Sequence, residues 1–142
     1  MSVPLLEAIA DAITAFEGWS PGSRSYRNRN PGNLRDSVVV HTMDSDGYCV
    51  FETLVEGYEA LLEDLYAKVT GKNTHGLSLD SSLRQLFDVY APRAGGNDPA
   101  SYTHVVAARL IKVYGARVTC DSTFRSLYTE VAKEPLPSGL TA

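Results

Sequence analysis

The chain has no long apolar run, no excess of positive charge and no secretion-signal pattern at its start. No stretch of its 142 residues approaches the roughly 20 apolar residues of a membrane span, so we expect none. Proteins that bind nucleic acid present a basic face, and a formal net charge of −4 argues against that partner. The first residues lack both the basic and the apolar segment of a secretion signal, which predicts that none is present.

Cysteine is scarce, and no set of side chains has the spacing of metal ligands. Cys49 and Cys120 lie far apart in sequence, next to positions predicted to be buried. Buried free cysteine behaves as a small hydrophobe, and a disulfide between the two is the alternative. There is no CxxC pair, and His41, His75 and His104 are widely separated. The sequence therefore predicts neither a metal site nor a cofactor.

The remaining composition is that of an ordinary globular protein. Hydrophobic residues make up 44% of the chain, and its length is typical of one domain with one core. We therefore predict a single domain over residues 1–142. Proline, serine and glycine accumulate near the C-terminus, which predicts a loose tail from about residue 134.

Helical patterns dominate the chain and place it in the mainly α (α+β) class. Residues 4–17 carry apolar side chains at i, i+3, i+4 and i+7, and Gly18 ends that pattern. About five helices are expected in all. The other four cover about residues 53–69, 80–91, 98–114 and 122–133.

A small β-hairpin is predicted between the first two helices. Residues 18–35 are expected to be a loop. Residues 38–41 and 48–51 are rich in valine and aromatic side chains, and they flank the turn sequence 44–47, Asp-Ser-Asp-Gly. Two such runs joined by a turn are typical of a hairpin.

Glu17 is the residue that most strongly indicates a chemistry. It ends the first helix between Phe16 and Trp19, and a carboxyl group held against apolar surface resists ionisation. An acid that keeps its proton near neutral pH can protonate a leaving oxygen, as a glycosidase or transglycosylase requires. The alternative is a solvated carboxylate at a helix end.

An asparagine-rich turn, Asn30-Pro31-Gly32-Asn33, follows Glu17. Pro31 restricts φ and stiffens the turn, while Asn30 and Asn33 either bond to their own turn or contact a sugar. Arginines crowd the same segment, either as a solvated face or as ligands for carboxylates, which arginine binds in a bidentate fork. These arginines are Arg24, Arg27, Arg29 and Arg35.

The order of elements, a helix ending in glutamate, a loop, a hairpin and then further helices, resembles the lysozyme superfamily. Residues 16–19 and 29–35 are similar to the phage lytic transglycosylase-like proteins, which are virion-associated muralytic enzymes. The resemblance covers about residues 5–115. Its weaker parts are residues 47–51 and 57–61, which resemble the family's hairpin and next helix, and residues 90–92, 97–99 and 102, which resemble a later cleft segment.

This resemblance implies a lysozyme-like fold in which the hairpin forms one wall of a sugar cleft. It implies Glu17 as the catalytic acid and base, bacterial peptidoglycan as the partner, and other virion or secretion-system proteins as further partners. The protein would be virion-associated, or in the host cytoplasm before delivery, and would act at the cell wall in the periplasm. Candidate substrate-binding residues are Asn30, Asn33, Arg29, Tyr48, Phe51, Tyr90, Asn97 and Tyr102.

Three activities fit these residues. Phage lysozymes of the T4 type carry an aspartate nine residues after the glutamate, where this chain has Tyr26. That favours a lytic transglycosylase, which needs no second carboxylate. A muramidase or chitinase-like hydrolase is an alternative if Asp44 or Asp46 serves as that second carboxylate, although both are typical hairpin-turn residues. A non-catalytic wall-binding virion protein is the third possibility.

Overall fold

A computed structural model describes residues 4–137 of the chain. This part is mostly helical with one small antiparallel sheet, which confirms the predicted class. The strands are β1 (Thr42–Met43) and β2 (Cys49–Val50). The helices are α1 (Leu5–Phe16), α2 (Arg24–Arg27), α3 (Leu54–Val69), α4 (Leu83–Tyr90), α5 (Pro99–Tyr114) and α6 (Phe124–Ser126).

The described residues fall into two compact units. The continuous unit is Ala10–Leu65, and the discontinuous unit joins residues 4–9 to residues 66–137. The chain passes from one unit to the other inside α1 and again inside α3. The prediction of a single domain over residues 1–142 stays a prediction.

The hairpin of the continuous unit is shorter than predicted, and its first strand begins later. Strand β1 pairs antiparallel with β2, with Thr42 opposite Val50, and the Asp44 amide donates to the Tyr48 carbonyl at 2.8 Å. This register would place residues 38–41 opposite residues 51–54, where the chain turns into α3. The predicted strand over 38–41 is therefore wrong, and Val38 is 90% exposed.

The predicted loop over residues 18–35 contains a single helical turn, α2. The Ser23 side chain caps it by accepting from the Tyr26 amide at 3.3 Å. The turn is too short to leave a periodic pattern in the sequence. The core of the continuous unit is formed by buried apolar side chains, among them Ile13, Leu34, Cys49, Phe51 and Leu61.

The discontinuous unit is built around the packed pair α4 and α5. Helix α4 begins where Ser82 and Gln85 form a reciprocal capping box, three residues later than predicted. Asp98 caps α5, with its side chain accepting from the Ser101 amide at 3.3 Å, as the sequence predicted. Helix α6 continues as a π-helical turn over Leu127–Val131, within the predicted helix over 122–133.

A carboxylate from late in the chain caps the first helix. The Leu5 amide donates to both carboxylate oxygens of Glu134, at 3.1 and 3.3 Å. The first amides of a helix lack intrahelical partners and carry partial positive charge, so a carboxylate there is favourable. Glu134 is thus held in place, and the later part of the predicted loose tail, residues 138–142, lies outside the described residues. Within residues 4–137, no helix is long and apolar enough to cross a membrane.

Candidate active site

Glu17 is the first residue after α1, one position beyond the helix end, whereas the sequence predicted it as the last helical residue. Its amide still donates to the Ile13 carbonyl at 2.9 Å, so its backbone closes the last helical turn. Gly18 follows with φ 74°, a left-handed conformation that ends helices and that glycine adopts without steric cost. The Glu17 side chain is half-buried. Its position at the helix end is confirmed to within one residue, and its catalytic role stays a prediction.

An aromatic pair follows Glu17. The rings of Trp19 and Tyr26 are tilted at 55° with centroids 5.1 Å apart, a favourable geometry for aromatic contact. Trp19 is half-buried and Tyr26 is 43% exposed. The pair fixes the chain after Gly18 against α2 and presents an aromatic surface to solvent.

A groove runs along one face of α1 and the turn that follows it. Its volume is about 530 Å³, within the range of about 300–1,000 Å³ common for ligand sites. The sequence does not reveal this groove, because a polar residue on an exposed helix face resembles an ordinary solvated side chain. The i, i+4, i+7 spacing of Asp11, Ala15 and Gly18 was the available signal. The groove is lined by Asp11, Thr14, Ala15, Gly18, Trp19 and Ser20.

Asn30 is a structural brace and not a sugar ligand. Its side chain is fully buried, donates to the carbonyls of Leu34 and Cys49, both at 3.0 Å, and accepts from the Leu34 amide at 2.9 Å. A buried amide with these partners presents no surface to a ligand. The substrate-contact prediction for Asn30 is corrected accordingly, and its role is to tie the turn to β2.

Asn33 closes the same turn from the other side. Its amide donates to the Asn30 carbonyl at 2.9 Å, and its backbone takes the left-handed φ of 51° that asparagine tolerates better than most residues. The side chain is half-buried, and its Oδ1 atom is buried without a hydrogen-bond partner. Sugar contact by Asn33 stays a prediction.

Arg29 and Gly57 join the loop to α3. Arg29 has φ 49°, and its Nε donates to the Phe51 carbonyl at 2.7 Å. A Cβ atom at Gly57 would overlap the Arg29 carbonyl oxygen and crowd Pro31, so only glycine permits this approach. Phe51 is fully buried, which corrects its assignment to the substrate surface. Arg29 is exposed, and its predicted role in binding carboxylates is untested.

Tyr48 is clamped between two arginines. The guanidinium groups of Arg24 and Arg35 lie 4.2 and 4.1 Å from its ring centroid, within the range of cation–π attraction. Arg35 donates to the Tyr48 hydroxyl at 2.8 Å, and Arg24 donates to Asp46 at 2.8 Å. These two arginines therefore stabilise the hairpin, while Arg27 is exposed.

Asp44 organises the hairpin turn. Its Oδ1 accepts from the amides of Asp46 and Tyr48, both at 2.9 Å, and its Oδ2 accepts from the Asn28 side chain at 2.9 Å. The Tyr48 amide, followed by the Asn28 side chain, lowers the pKa of Asp44 below its ordinary value. Asp44 is therefore a turn residue, as the sequence favoured, and Asp46 forms an ion pair with Arg24.

The three remaining candidates lie in the discontinuous unit. Tyr102 is 1% exposed and stacks on Phe87 with ring centroids 4.7 Å apart, which corrects its assignment as a substrate residue. Tyr90 is half-buried and meets both rings edge-on. Asn97 is exposed, and its side chain donates to the Pro92 carbonyl at 3.4 Å. Substrate contact by Tyr90 and Asn97 is untested.

The two cysteines do not form a disulfide. Cys49 and Cys120 are both buried free thiols, and burial raises the pKa of Cys49 to about 11. Among the described residues, no group of three or more histidine, cysteine, aspartate or glutamate side chains could hold a metal ion. Comparison of the chain with family models, with curated proteins and with solved structures finds no match.

Proposed function

We propose that the protein is a lytic transglycosylase with a lysozyme-like fold, and that Glu17 cleaves the β-1,4 bond between N-acetylmuramic acid and N-acetylglucosamine. The observation that carries the proposal is the position of Glu17. It is half-buried directly after α1 and is followed by the Trp19–Tyr26 pair. A half-buried carboxyl group followed along the chain by an aromatic pair is an arrangement that suits an acid catalyst. Under this proposal the protein is virion-associated or cytoplasmic before delivery, and it acts on peptidoglycan in the periplasm.

Glu17 serves in turn as acid and base. Protonated Glu17 gives its proton to the glycosidic oxygen that leaves with N-acetylglucosamine, and the bond from that oxygen to C1 of the muramyl residue breaks. The muramyl C6 hydroxyl oxygen then bonds to C1, and its proton passes to the Glu17 carboxylate. The product is a 1,6-anhydro ring, Glu17 regains its starting state, and no water is consumed.

The hairpin carboxylates support a transglycosylase over a hydrolase. A hydrolase requires a second carboxylate as nucleophile or base. Both oxygens of Asp44 accept hydrogen bonds within the hairpin and Asp46 pairs with Arg24, so each already has a structural task. The lowered pKa of Asp44 also makes it a weak base. Tyr26 stands where T4-type lysozymes carry their aspartate.

The test is lysis of purified sacculi by the parent protein and by Glu17→Gln. The substitution keeps shape and hydrogen bonding but cannot supply an acidic proton, so activity should fall about 100- to 10,000-fold. Glu59→Gln is the matched control, since Glu59 is an exposed glutamate of the same unit, and it should lyse like the parent. Near-parental lysis by a folded Glu17→Gln variant would refute the proposal. A parent protein that binds sacculi without releasing muropeptides would instead be a wall-binding protein.

The digest separates the two enzymatic alternatives. A transglycosylase releases anhydro-muropeptides, about 18 mass units lighter than hydrolysed ones because no water is added. Mass spectrometry of the soluble products should show these species. Reducing muramic acid ends alone would indicate the hydrolase, and Asp44→Asn and Asp46→Asn would then be the next variants to assay.

A further inference from the structure

We propose that Cys120 is a modification site, at which its thiol forms a mixed disulfide with a small aliphatic disulfide and His104 acts as the base. Both residues belong to the discontinuous unit, and neither takes part in the reaction assigned to Glu17. The inference goes beyond the proposed function and does not depend on it.

Cys120 and His104 form a thiol–imidazole pair. The Sγ atom of Cys120 lies 3.7 Å from Nδ1 of His104. When the neutral imidazole carries its proton on Nε2, the lone pair of Nδ1 can accept the thiol proton. A nucleophile with a base in contact is the arrangement that activates cysteine. His104 is exposed on α5 and Cys120 is 7% exposed, so the base reaches solvent and the thiol lies at the edge of the core.

Hydrogen bonds fix the turn that carries Cys120. The Ser122 hydroxyl accepts from the Thr119 amide at 2.9 Å, and the Thr119 hydroxyl accepts from the Asp121 amide at 3.2 Å. The Arg84 amide, in the first turn of α4, donates to the Cys120 carbonyl at 2.9 Å. The backbone on both sides of the sulfur is thus held in place, which keeps the thiol beside the imidazole.

The charges around Cys120 are compatible with a thiolate. Arg84 donates through Nε to the Asp121 carboxylate at 3.0 Å, so the negative charge next to Cys120 in the chain is balanced. The pKa of Arg84 is raised, first by this hydrogen bond to Asp121 and, as a smaller contribution, by Cys120. Because that attraction is mutual, the guanidinium favours negative charge on the sulfur.

Cys49 provides a comparison within the same chain, which has two cysteines. Cys49 is fully buried. Burial, followed by the negative charge of Asp36, raises the pKa of its thiol to about 11. The thiolate is the nucleophile in disulfide exchange, so Cys49 is expected to be inert where Cys120 reacts.

The exchange step is balanced without a further reagent. Nδ1 of His104 takes the proton of the Cys120 thiol as Sγ attacks one sulfur of the small disulfide. A bond forms between Sγ and that sulfur, the original S–S bond breaks, and its electron pair leaves with the second sulfur. The proton passes from His104 to this thiolate, which departs as a thiol. Cys120 is oxidised and the leaving sulfur is reduced.

Modification of Cys120 is expected to weaken the start of α4. The amides of Leu83 and Arg84, the first two residues of α4, donate to the carbonyls of Ser122 and Cys120 at 3.1 and 2.9 Å. The first amides of a helix have no partners within it. A group attached to a sulfur that is 7% exposed needs space that the turn must provide by moving, so these acceptors shift away from α4.

The first experiment treats the parent protein with bis(2-hydroxyethyl) disulfide at pH 7 and follows the adducts by intact-mass spectrometry and peptide mapping. One adduct is expected at Cys120, formed at least about tenfold faster than any at Cys49. The modified protein should melt at least about 3 °C lower, and dithiothreitol should restore the parental melting temperature. Absence of an adduct, or equal rates at the two cysteines, would overturn the proposal.

His104→Gln tests the base, because Cys120 is more exposed than Cys49 and exposure alone also favours its reaction. An ordinary thiol has a pKa of about 8.5 and is only a few per cent ionised at pH 7, so the variant should react about tenfold more slowly there. At pH 9 the thiol ionises without a base, and the two rates should converge. His75→Gln, at an exposed histidine of the same unit, is the matched control and should react like the parent.

The outcomes are distinct from those that judge Glu17. A parental rate in His104→Gln at pH 7 would overturn the proposal, and so would an equal loss at pH 7 and pH 9, because a purely structural effect of His104 does not depend on ionisation of the thiol. Lysis of sacculi by the parent and by Glu17→Gln tests the catalytic proposal separately.

Discussion

The loop-and-hairpin segment, residues 23–51 of the continuous unit, and the helix pair α4–α5 are held in shape by different forces. In the helix pair, Ser82 and Asp98 cap the helices, and buried rings such as Phe87 and Tyr102 pack between them. The segment contains one helical turn and two short strands. Its backbone groups therefore find many of their partners in side chains.

The difference shows where single polar residues matter. An apolar side chain stabilises a core through many weak, non-directional contacts, so no single contact fixes the local backbone geometry. A buried polar brace such as Asn30 serves several backbone groups at once, and each of them loses its partner when the side chain is removed. The candidate site thus stands beside a segment whose geometry depends on a few polar side chains.

Truncation of Phe87 is expected to have the largest effect on stability. Phe87 is fully buried and contacts both Tyr90 and Tyr102. Phe87→Ala should lower the free energy of unfolding by about 3–5 kcal/mol, through lost burial and the cavity left behind. Urea denaturation followed by circular dichroism measures this. A loss below about 1 kcal/mol would mean that this aromatic cluster does not stabilise the helix pair as a core does.

Asn30→Ala should be the next most damaging change. It removes one acceptor and two donors that serve buried backbone groups of Leu34 and Cys49, at an expected cost of about 2–3 kcal/mol after local relaxation. Asn97→Ala is the matched control, because Asn97 is exposed and surface changes stay within about 0.5 kcal/mol. Equal melting temperatures for the two variants would contradict the structural role assigned to the Asn30 side chain.

Gly57→Ala is expected to destabilise the protein, although the same substitution usually stabilises a helix. Alanine in place of glycine inside a helix normally stabilises it by up to about 1 kcal/mol. Here the added Cβ meets the Arg29 carbonyl oxygen, and overpacking of this kind costs about 1–3 kcal/mol. A net destabilisation in a thermal melt is expected, and a raised melting temperature would show that α3 does not need this close approach.

The pH dependence of Asp44 is the smallest expected effect. Because its folded pKa is lowered from the ordinary value of 3.8, ionised Asp44 stabilises the fold above that pH, and the contribution disappears as pH falls through the lowered value. Asp44→Asn should reduce the melting temperature at pH 7 and leave a smaller gap to the parent at the lowest pH tested. If the difference in melting temperature between the variant and the parent did not change with pH, the ionisation of Asp44 would not contribute to stability.

The sequence predicted best what is determined locally. The end of α1 beside Glu17 and the start of α5 after Asp98 depend on residues within one turn, and both are confirmed to within one residue. Features that depend on distant residues were missed. The position of β1 follows from the register set by the Asp44–Tyr48 pair. The valines of residues 38–41 are equally apolar whether or not they pair with β2, so their composition does not reveal the register.

In the candidate site, too, the features that the sequence could not predict depend on distant residues. The sequence left two roles open for Asn30, hydrogen bonding within its own turn and contact with a sugar. Its hydrogen bond to the carbonyl of Cys49, 19 residues away, shows the structural role. The groove requires the pairing of Asp11 with Tyr58, 47 residues apart, as well as the contact of Trp19 with Tyr26. No local pattern reveals such partners before the chain is folded.

The bond between the Leu5 amide and the Glu134 carboxylate has a consequence for how the chain assembles on the ribosome. It joins residues 129 positions apart, and synthesis proceeds from the N-terminus at about 5–20 residues per second. The continuous unit, Ala10–Leu65, is fully synthesised long before Glu134 exists. The cap on α1 must wait for that residue, so translation itself favours assembly of the continuous unit before the discontinuous one is complete.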